Sequence, residues 1–348
     1  MGIHERYMRR CLELATLGAG TVSPNPMVGA VIVYNGCIIG EGYTSPYGGA
    51  HAEVNAIQRV LDTFSERAEE LLRQSELYVS LEPCAHFGKT PPCADLIIKY
   101  RLHKVYVACT DPFPQVSGKG IEKLRAAGIP VEIGLLETEA LWMNRRFFTR
   151  ILKNRPYIIL KWAQTLDGYM GTGDDKQAWI SNLASKQLVH KWRAEEDAIL
   201  VGTRTALIDN PELTVREWNG THPKRILIDR NLSVPTSSAI YAAEGELIVF
   251  NAVKSEWTDH VKYIELENYD LYLPQNILYQ LYLMDVQSLI IEGGTTTLQH
   301  FISAGLWDEA RILTASHQWG AGVKAPKIEG KLVDKYNVST DELAILIK

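Results

Sequence analysis

The sequence lacks several features, and each absence excludes a class of protein. Its 348 residues contain no run of about 18 apolar residues, the length that a membrane-spanning helix needs. Residues 1–15 mix charged with apolar side chains and lack the continuous apolar stretch of a signal peptide, so we expect a cytoplasmic protein without a membrane partner. No internal repeat and no low-complexity tract is present, which argues against solenoid and disordered architectures.

Positive charge and cysteine are also scarce. The chain carries 36 Lys and Arg against 41 Asp and Glu, a net charge of −5, so a nucleic-acid partner is not expected. A small phosphorylated ligand needs only local positive charge and is compatible with this balance. The five cysteines are an odd number, which favours reduced thiols over a disulfide framework. Cys11, Cys37 and Cys109 lie in apolar patterns and are interpreted as small buried hydrophobic residues.

The first half of the chain alternates between strand and helix patterns. Asn35-Gly36, between two apolar runs, is a strong signal for a β-hairpin. Alternating apolar segments then continue to about residue 133. They predict an α/β/α domain over residues 1–148 with a mixed five-stranded sheet.

A second alternating series begins at residue 157 and predicts a second α/β domain over residues 149–348. Residues 137–153 form one helical pattern that precedes it, and Arg155-Pro156 ends that pattern. The polar segment 252–262 is interpreted as a surface connection. A chain of this length can form two domains, each with its own hydrophobic core.

A set of metal ligands stands out in the first domain. His51 and Glu53 open a predicted helix, Cys84 follows a predicted strand, and Cys93 opens the next helix. One imidazole and two thiolates suit Zn²⁺ and leave a fourth position for water, whose pKa the metal would lower toward about 7. Glu53, two residues from His51, can move protons instead of binding the metal. His-x-Glu with Pro-Cys and a second Cys is the known signature of zinc nucleobase deaminases.

Two details around these ligands leave alternatives open. Eight residues, AHFGKTPP, separate the cysteines, and His86 among them could close a structural zinc site instead of a catalytic one. Upstream, residues 23–26 read Ser-Pro-Asn-Pro. The two prolines stiffen this loop and could aim the Asn25 amide at a heterocycle, or the segment is a plain turn.

The stretches PNPMVGAVIV, HAEVNAI and LEPCAHFGKTPPCADLII together resemble the bifunctional deaminase/reductase family of riboflavin biosynthesis. The resemblance implies a cytidine-deaminase-like domain in which zinc is bound and Glu53 is the proton shuttle. It also implies that the pyrimidine and its ribose phosphate contact Asn25, His86 and Lys89. The implied zinc ligands are His51, Cys84 and Cys93. The chain departs from the family at Thr44, where a substrate-contacting His is usual.

Three clusters in the second half, at residues 160–181, 192–216 and 290–301, resemble the reductase domain of the same family. In the third cluster a strand runs into Gly293-Gly294 and a helix start, which suits a dinucleotide phosphate or an ordinary glycine turn. The resemblance implies a dihydrofolate-reductase-like domain that uses NADPH. The implied cofactor residues are Ala163, Trp179, Thr205, Asp209, Gly294, Thr295, Thr296, Thr297, Leu298, Gln299 and His300. The implied substrate residues are Gln177, Arg193, Leu213, Arg216 and Glu292.

The implied reduction delivers a hydride to the first carbon of the sugar. Arginine side chains offer paired donors that fit a ribose phosphate. Lys161 and Asp209 are candidates for the general acid. Arg230 follows an Asp at a strand end, where it either meets the 2′-phosphate of NADP or lies on the surface.

The sequence therefore predicts a bifunctional enzyme of riboflavin biosynthesis. Zinc-dependent deamination of 2,5-diamino-6-(5-phosphoribosylamino)pyrimidin-4(3H)-one would precede NADPH-dependent reduction to 5-amino-6-(5-phosphoribitylamino)uracil, and the family implies homo-oligomers. One alternative is a nucleoside or tRNA deaminase with a noncatalytic second domain, against which the acidic balance argues. Another is a non-enzymatic zinc-stabilised module, in which Glu53 would have no use.

Overall fold

The computed structural model describes residues 2–85, 91–112, 117–174 and 176–348. The chain divides into two compact units, Met1–Asn154 and Arg155–Lys348.

The first unit is built on a mixed five-stranded sheet with the strand order β2-β1-β3-β4-β5. Strand β1 pairs antiparallel with β2 and β3, whereas β3, β4 and β5 run parallel. The strands are β1 (Gly29–Tyr34), β2 (Cys37–Tyr43), β3 (Glu76–Val79), β4 (Lys104–Val107) and β5 (Val131–Ile133). The helices are α1 (Ile3–Thr16), α2 (Ala52–Phe64), α3 (Ala68–Arg73), α4 (Cys93–Tyr100), α5 (Lys119–Ala126), α6 (Glu137–Met143) and α7 (Arg145–Lys153), with a 3₁₀ turn at Ser65–Arg67.

Close packing of α2 on the sheet places the first site. A Cβ atom on Gly42 of β2 would lie only 2.4 Å from the carbonyl oxygen of Ala52, the first residue of α2. Glycine at this position therefore lets the helix start rest directly on the strand. As a result, His51 and Glu53 are held at one end of the sheet, close to where β3 ends.

Two expectations for this unit are wrong. The predicted helix over residues 137–153 is two helices, α6 and α7, because Asn144 turns inward between them and is 2% exposed. Its amide accepts from the backbone N–H of Met27 and donates to the same residue's carbonyl, each at 2.9 Å. Cys37 is exposed, since it begins β2 directly after the Asn35-Gly36 turn, whereas Cys11 and Cys109 are buried as expected.

The second unit contains a ten-stranded sheet with the order β11-β12-β10-β9-β8-β13-β6-β14-β17-β16. Strands β7 (Tyr169–Gly171) and β15 (Val323–Lys324) form a separate ribbon. The sheet strands are β6 (Tyr157–Gln164), β8 (Ala198–Gly202), β9 (Lys224–Ile228), β10 (Leu247–Asn251), β11 (Glu256–Trp257), β12 (Val261–Glu265), β13 (Ser288–Ile291), β14 (Glu309–Thr314), β16 (Lys331–Val338) and β17 (Asp341–Ile347). The helices are α8 (Leu183–Glu195), α9 (Thr203–Asp209), α10 (Ala239–Ala242), α11 (Leu273–Leu283) and α12 (Thr295–Ser303).

The core strands of this sheet are parallel and apolar on both faces, as buried parallel strands require. Their carboxyl ends lie at one edge, where open α/β sheets bind ligands. The C-terminal strands β17 and β16 add to β14 as an antiparallel hairpin. The segment 252–262 is more ordered than expected, since β11 within it pairs with β12. Within the described ranges, no helix is long and apolar enough to cross a membrane.

Candidate active sites

The first site joins one imidazole and two thiols from three separate segments. The Nδ1 atom of His51 lies 3.3 Å from the Sγ of Cys93 and 3.7 Å from the Sγ of Cys84. The three ligand atoms lie within 4.8 Å of one another. His51 is the N-cap residue of α2, Cys84 follows β3, and Cys93 is the first residue of α4. The structure thus brings the three residues together at two helix starts and one strand end.

The donor set fits a zinc ion. In tetrahedral coordination, with Zn–N at about 2.0 Å and Zn–S at about 2.3 Å, a nitrogen and a sulfur ligand stand about 3.6 Å apart. The two distances from His51 to the cysteines lie on either side of that value. The backbone N–H of Cys93 also donates to the Sγ of Cys84 at 3.3 Å, which favours the thiolate form that a metal needs. Hydrogen bonding from Cys93 lowers the pKa of Cys84 to about 4.

Glu53 lies beside these ligands and is the group best suited to carry a proton. Its side chain is almost fully buried, at 4% exposure, in the first turn of α2. Burial, reinforced by the negative charge of Cys84, raises the pKa of Glu53 to about 7. A carboxyl group with this pKa can take up and release a proton near neutral pH.

Other residues predicted for this site have mixed outcomes. Asn25 lies in the loop before β1, half-buried, with its backbone N–H bonded to the carbonyl of Val22 at 2.9 Å. His86 and Lys89 lie outside the described residues. Thr44, where the resemblance led us to expect a histidine, is 4% exposed, and its hydroxyl accepts from the backbone N–H of Val28 at 3.2 Å. Its side chain therefore secures the end of β2 against the chain that leads into β1.

Sequence reasoning missed Glu82, two residues before Cys84. This buried carboxylate accepts backbone N–H groups from Asp111 at 3.2 Å and from Gly118 and Gly120 at 3.0 Å each. It therefore secures the start of α5 against the segment that carries Cys84. The signal in the sequence was an acidic residue that directly follows an apolar strand and lies close to Cys84. The backbone groups that Glu82 binds could be known only from the fold.

The second site is a largely buried charged cluster at the carboxyl end of β13, beside the middle of β6. The Oε2 atom of Glu292 accepts from Arg193 of α8 at 3.0 Å and lies 3.8 Å from the Nζ of Lys161. Arg193 also donates to the carbonyl of Thr214 at 3.3 Å. The second carboxylate oxygen of Glu292, Oε1, is buried without a hydrogen-bond partner in this structure. A buried oxygen without a partner can accept a hydrogen bond from a bound ligand.

Charges within the cluster set its protonation. Burial alone would raise the pKa of Glu292, but the positive charges of Arg193 and Lys161 outweigh it and lower that pKa. Burial lowers the pKa of Lys161, and the nearby Glu292 opposes this shift only in part. Burial and the charges of Arg193 and Arg216 lower the pKa of His190 to about 4, so its ring is neutral near pH 7.

The third sequence cluster forms a helix start beside this charged cluster. Gly294 is the N-cap of the nine-residue helix α12, and its N–H donates to the hydroxyl of Thr205 at 3.0 Å. The side chain of Thr297 packs against two glycines. A Cβ atom added to Gly202 would lie 2.4 Å from the Oγ1 of Thr297, and a Cβ atom added to Gly293 would lie 2.8 Å from the Cβ of Thr297. Exposed N–H groups at such a helix start suit phosphate.

The remaining predicted reductase residues spread around these two features. Gln177 donates to the backbone carbonyl of Asp209 at 3.5 Å. Arg216 pairs with Glu212 at 2.7 Å, and Trp179 is 69% exposed. The others have these positions: Ala163 is half-buried in β6, Leu213 is buried with a positive φ of 60°, Thr296 is exposed on α12, the Leu298 side chain is in the core, Gln299 bonds to Ser303, and His300 is exposed.

Arg230 lies at the surface, after the end of β9. It forms an ion pair with Asp270, and its guanidinium stacks 5.6 Å from the ring centroid of Tyr269. The preceding residue, Asp229, is buried and accepts the backbone N–H of Val234 at 2.8 Å. The arginine is thus held at the same sheet edge as the helix start of α12, with half of its side chain exposed.

Comparisons with known proteins place a family match in each unit. Residues 1–109 match the profile of the cytidine and deoxycytidylate deaminase zinc-binding region, and residues 156–343 match that of the RibD C-terminal domain. These matches confirm the α/β architecture and the resemblance found in the sequence.

Relatives cover nearly the whole chain. The riboflavin biosynthesis protein RibD of Aquifex aeolicus is 41% identical over 328 residues, which are 92% of this chain and 89% of the relative. The structure of Acinetobacter baumannii RibD superposes with a TM-score of 0.89 at 32% identity, covering 99% of this chain and 98% of that one. A diaminohydroxyphosphoribosylaminopyrimidine deaminase/5-amino-6-(5-phosphoribosylamino)uracil reductase from Thermotoga maritima gives the same TM-score and coverage at 35% identity. The chain belongs to the RibD family of riboflavin biosynthesis proteins.

Proposed function

We propose that the first unit deaminates a phosphoribosylaminopyrimidine and that the second unit reduces the deaminated product with NADPH. The observation that carries the proposal is the grouping of His51, Cys84 and Cys93 around one point, with the buried carboxyl group of Glu53 beside them. The substrates named for the Thermotoga maritima relative fit both halves of this scheme.

In the deamination, water adds to the ring carbon that bears the amino group, and ammonia leaves. His51, Cys84 and Cys93 would hold zinc, which would supply the Lewis acidity that makes water nucleophilic at neutral pH. Glu53 takes a proton from the attacking water and passes protons to the ring nitrogen and to the departing amine. Its burial excludes competing solvent, and its raised pKa lets it act as base and then as acid in one cycle.

In the reduction, one hydride and one proton add across the carbon–nitrogen double bond of the ring-opened sugar, giving the ribitylamino chain. NADPH supplies the hydride chemistry. The unpartnered Oε1 of Glu292 accepts a substrate donor, while Arg193 and Lys161 fix the carboxylate through its other oxygen. We propose Lys161 as the proton donor, because it lies 3.8 Å from Glu292 and burial lowers its pKa. Asp209 stays a second candidate, since burial raises the pKa of its carboxyl.

A zinc-free enzyme should separate the two reactions. Removal of the metal with a chelator is expected to abolish ammonia release, because water is then no longer activated. NADPH oxidation with the already deaminated compound should continue at its full rate, since the second unit has its own core and site. The measurement is ammonia release and absorbance at the NADPH band, before and after zinc is restored. Ammonia release that survives complete loss of metal would contradict the proposal.

Arg230 is proposed to recognise the 2′-phosphate of NADPH. The change Arg230→Ala should lower the preference for NADPH over NADH by about tenfold, the worth of a charge-assisted hydrogen bond. The ratio of kcat/KM for the two cofactors is the measurement. As a control, Asp270→Ala removes the present partner of Arg230 and should leave the preference for NADPH intact or increase it. An unchanged ratio in Arg230→Ala would assign this residue to the surface instead.

Assembly into a homo-oligomer and a cytoplasmic location are also proposed, on the family resemblance and on the sequence composition. Sedimentation of the purified chain tests the first. Cell fractionation tests the second.

A further inference from the structure

Asp167 is a carboxylate in the second unit that neither reaction uses. It lies in the loop of residues 165–168, which joins β6 to β7. Its side chain accepts the backbone N–H of Gly320 at 2.7 Å and that of Trp319 at 3.2 Å, and it accepts the hydroxyl of Thr165 at 2.5 Å. Trp319 and Gly320 belong to residues 316–322, which form most of the loop between β14 and β15. One side chain therefore ties together two loops that are about 150 residues apart in sequence.

Further contacts show that the two loops are built to meet. The backbone N–H of Leu166 donates to the carbonyl of His317 at 2.9 Å. The Nζ atom of Lys324 donates to the backbone carbonyl of Asp167 at 3.1 Å and lies 3.7 Å from the ring centroid of Tyr169. Strands β7 and β15, which follow the loops, pair with each other. The other acceptors named here are neutral backbone carbonyls, whereas the Asp167 carboxylate carries a negative charge.

The same region touches the helix start of α12. The hydroxyl of Thr295, the first residue of α12, donates to the backbone carbonyl of Lys324 at 2.8 Å and lies 3.1 Å from the sulfur of Met170. Both strands of the β7–β15 ribbon therefore contact the place where a dinucleotide phosphate would bind. At its other end, the 165–168 loop continues directly from β6, which carries Lys161 of the charged cluster.

We propose that Asp167 is a positioning residue for the reduction, because it locks the 165–168 and 316–322 loops together and so connects the helix start of α12 to the carboxyl end of β6. The inference rests on the proposed function of the second unit. Binding of NADPH at the helix start would then order both loops in one step, and a rigid loop after β6 would hold the cofactor next to the charged cluster.

The lock is insensitive to pH across the working range of an enzyme. The hydrogen bond from Thr165, with those from Gly320 and Trp319, lowers the pKa of Asp167 to about 2. The carboxylate is consequently charged at every pH at which activity would be measured.

Asp167→Asn tests the proposal with little change in shape. The amide oxygen can replace Oδ2 and accept from Gly320 and Trp319, but without the negative charge that strengthens these bonds. The NH₂ group, in the place of Oδ1, cannot accept the hydroxyl of Thr165. We expect the KM for NADPH to rise on the order of tenfold, as for the loss of a charge-assisted hydrogen bond. The KM for the pyrimidine should change by less than about twofold, and ammonia release and its zinc dependence should not change. A purely structural role would lower the folded fraction and leave both KM values as they are.

Asp174→Asn is the matched control. Asp174 lies seven residues further on, where its carboxylate accepts the hydroxyl of Thr172 and pairs with Lys176 at 3.3 Å. Because these partners are local, this change should leave the KM for NADPH within about twofold. Lys324→Gln removes a bond from β15 to the 165–168 loop while the carboxylate stays in place, and should raise the KM for NADPH by a smaller factor than Asp167→Asn.

Hydrogen exchange measures the connection directly. NADPH should slow amide exchange in residues 316–322 of the wild type and of Asp174→Asn, and this slowing should disappear in Asp167→Asn while protection of α12 persists. If Asp167→Asn keeps the wild-type KM for NADPH and the slowed exchange, the inference is wrong. If the wild type does not oxidise NADPH with the deaminated substrate, it is the proposed function of the second unit that fails.

Discussion

Glu53→Gln is expected to reduce ammonia release by about 10²- to 10⁴-fold, the usual contribution of a general acid–base group. Glutamine keeps the shape and the polar contacts of the side chain but cannot exchange a proton. Burial already raises the pKa of Glu53 to about 7, so the neutral side chain is well tolerated in this pocket and the fold should persist. Zinc content should match the wild type, because Glu53 is not among the three grouped metal ligands.

The measurement is steady-state ammonia release, with zinc content and NADPH oxidation on the pre-deaminated compound recorded on the same sample. Glu69→Gln serves as a control, since Glu69 is 63% exposed on α3 and pairs only with the neighbouring Arg73 among the described contacts. It should keep full activity in both assays. If folded, zinc-loaded Glu53→Gln loses both activities together, the division into two independent sites is wrong.

Glu292→Gln is expected to produce the opposite pattern. Reduction should fall on the order of 10²-fold, because the buried positive charges of Arg193 and Lys161 lose their counter-charge and the substrate loses a charged acceptor. The pKa of Lys161 should fall further, since the Glu292 carboxylate now opposes the effect of burial. The lysine would then lose its proton at lower pH, and the alkaline limb of the pH–rate profile for reduction should shift to lower pH.

The pH profile of NADPH oxidation with the deaminated compound checks this prediction, and ammonia release provides an internal reference that should not change. Glu267→Gln, at an exposed position after β12, is the matched control. Reduction at the wild-type rate in Glu292→Gln would remove this cluster from the reaction. A lower rate with an unshifted profile would leave Glu292 in the site and would point to Asp209 as the proton donor.

The grouping of His51, Cys84 and Cys93 could be predicted from the sequence because each residue lies at a boundary that local patterns reveal. His51 precedes an amphipathic helix, Cys84 follows an apolar strand, and Cys93 opens a helix. The spacing of the motif and the chemistry of imidazole and thiolate then limit the choice of metal. Thr44 shows where such reasoning ends. From the sequence we expected a histidine near this position, whereas only the structure shows the threonine hydroxyl bonded to the backbone of Val28.

The contacts within the charged cluster of the second unit could not be predicted from the sequence. Arg193 and Glu292 are 99 residues apart, and Lys161 is further still from Glu292, so no local pattern relates them. They meet because β6 pairs with β13, and β13 with β8, in a sheet whose strand order differs from the chain order. The break of the 137–153 helix at Asn144 has the same origin, since its amide pairs with Met27 from the other end of the first unit.

The sequence by itself therefore determined the α/β class, the two-part organisation, the candidate metal-binding cluster and the family, because periodicity, helix starts and motif spacing are local properties of the chain. The tertiary structure alone decided which carboxylates act through distant partners: Glu82 on the start of α5, Glu292 between Arg193 and Lys161, and Asp167 between two loops. Their hydrogen bonds depend on backbone groups and charges brought together by strand order, which a linear pattern does not encode.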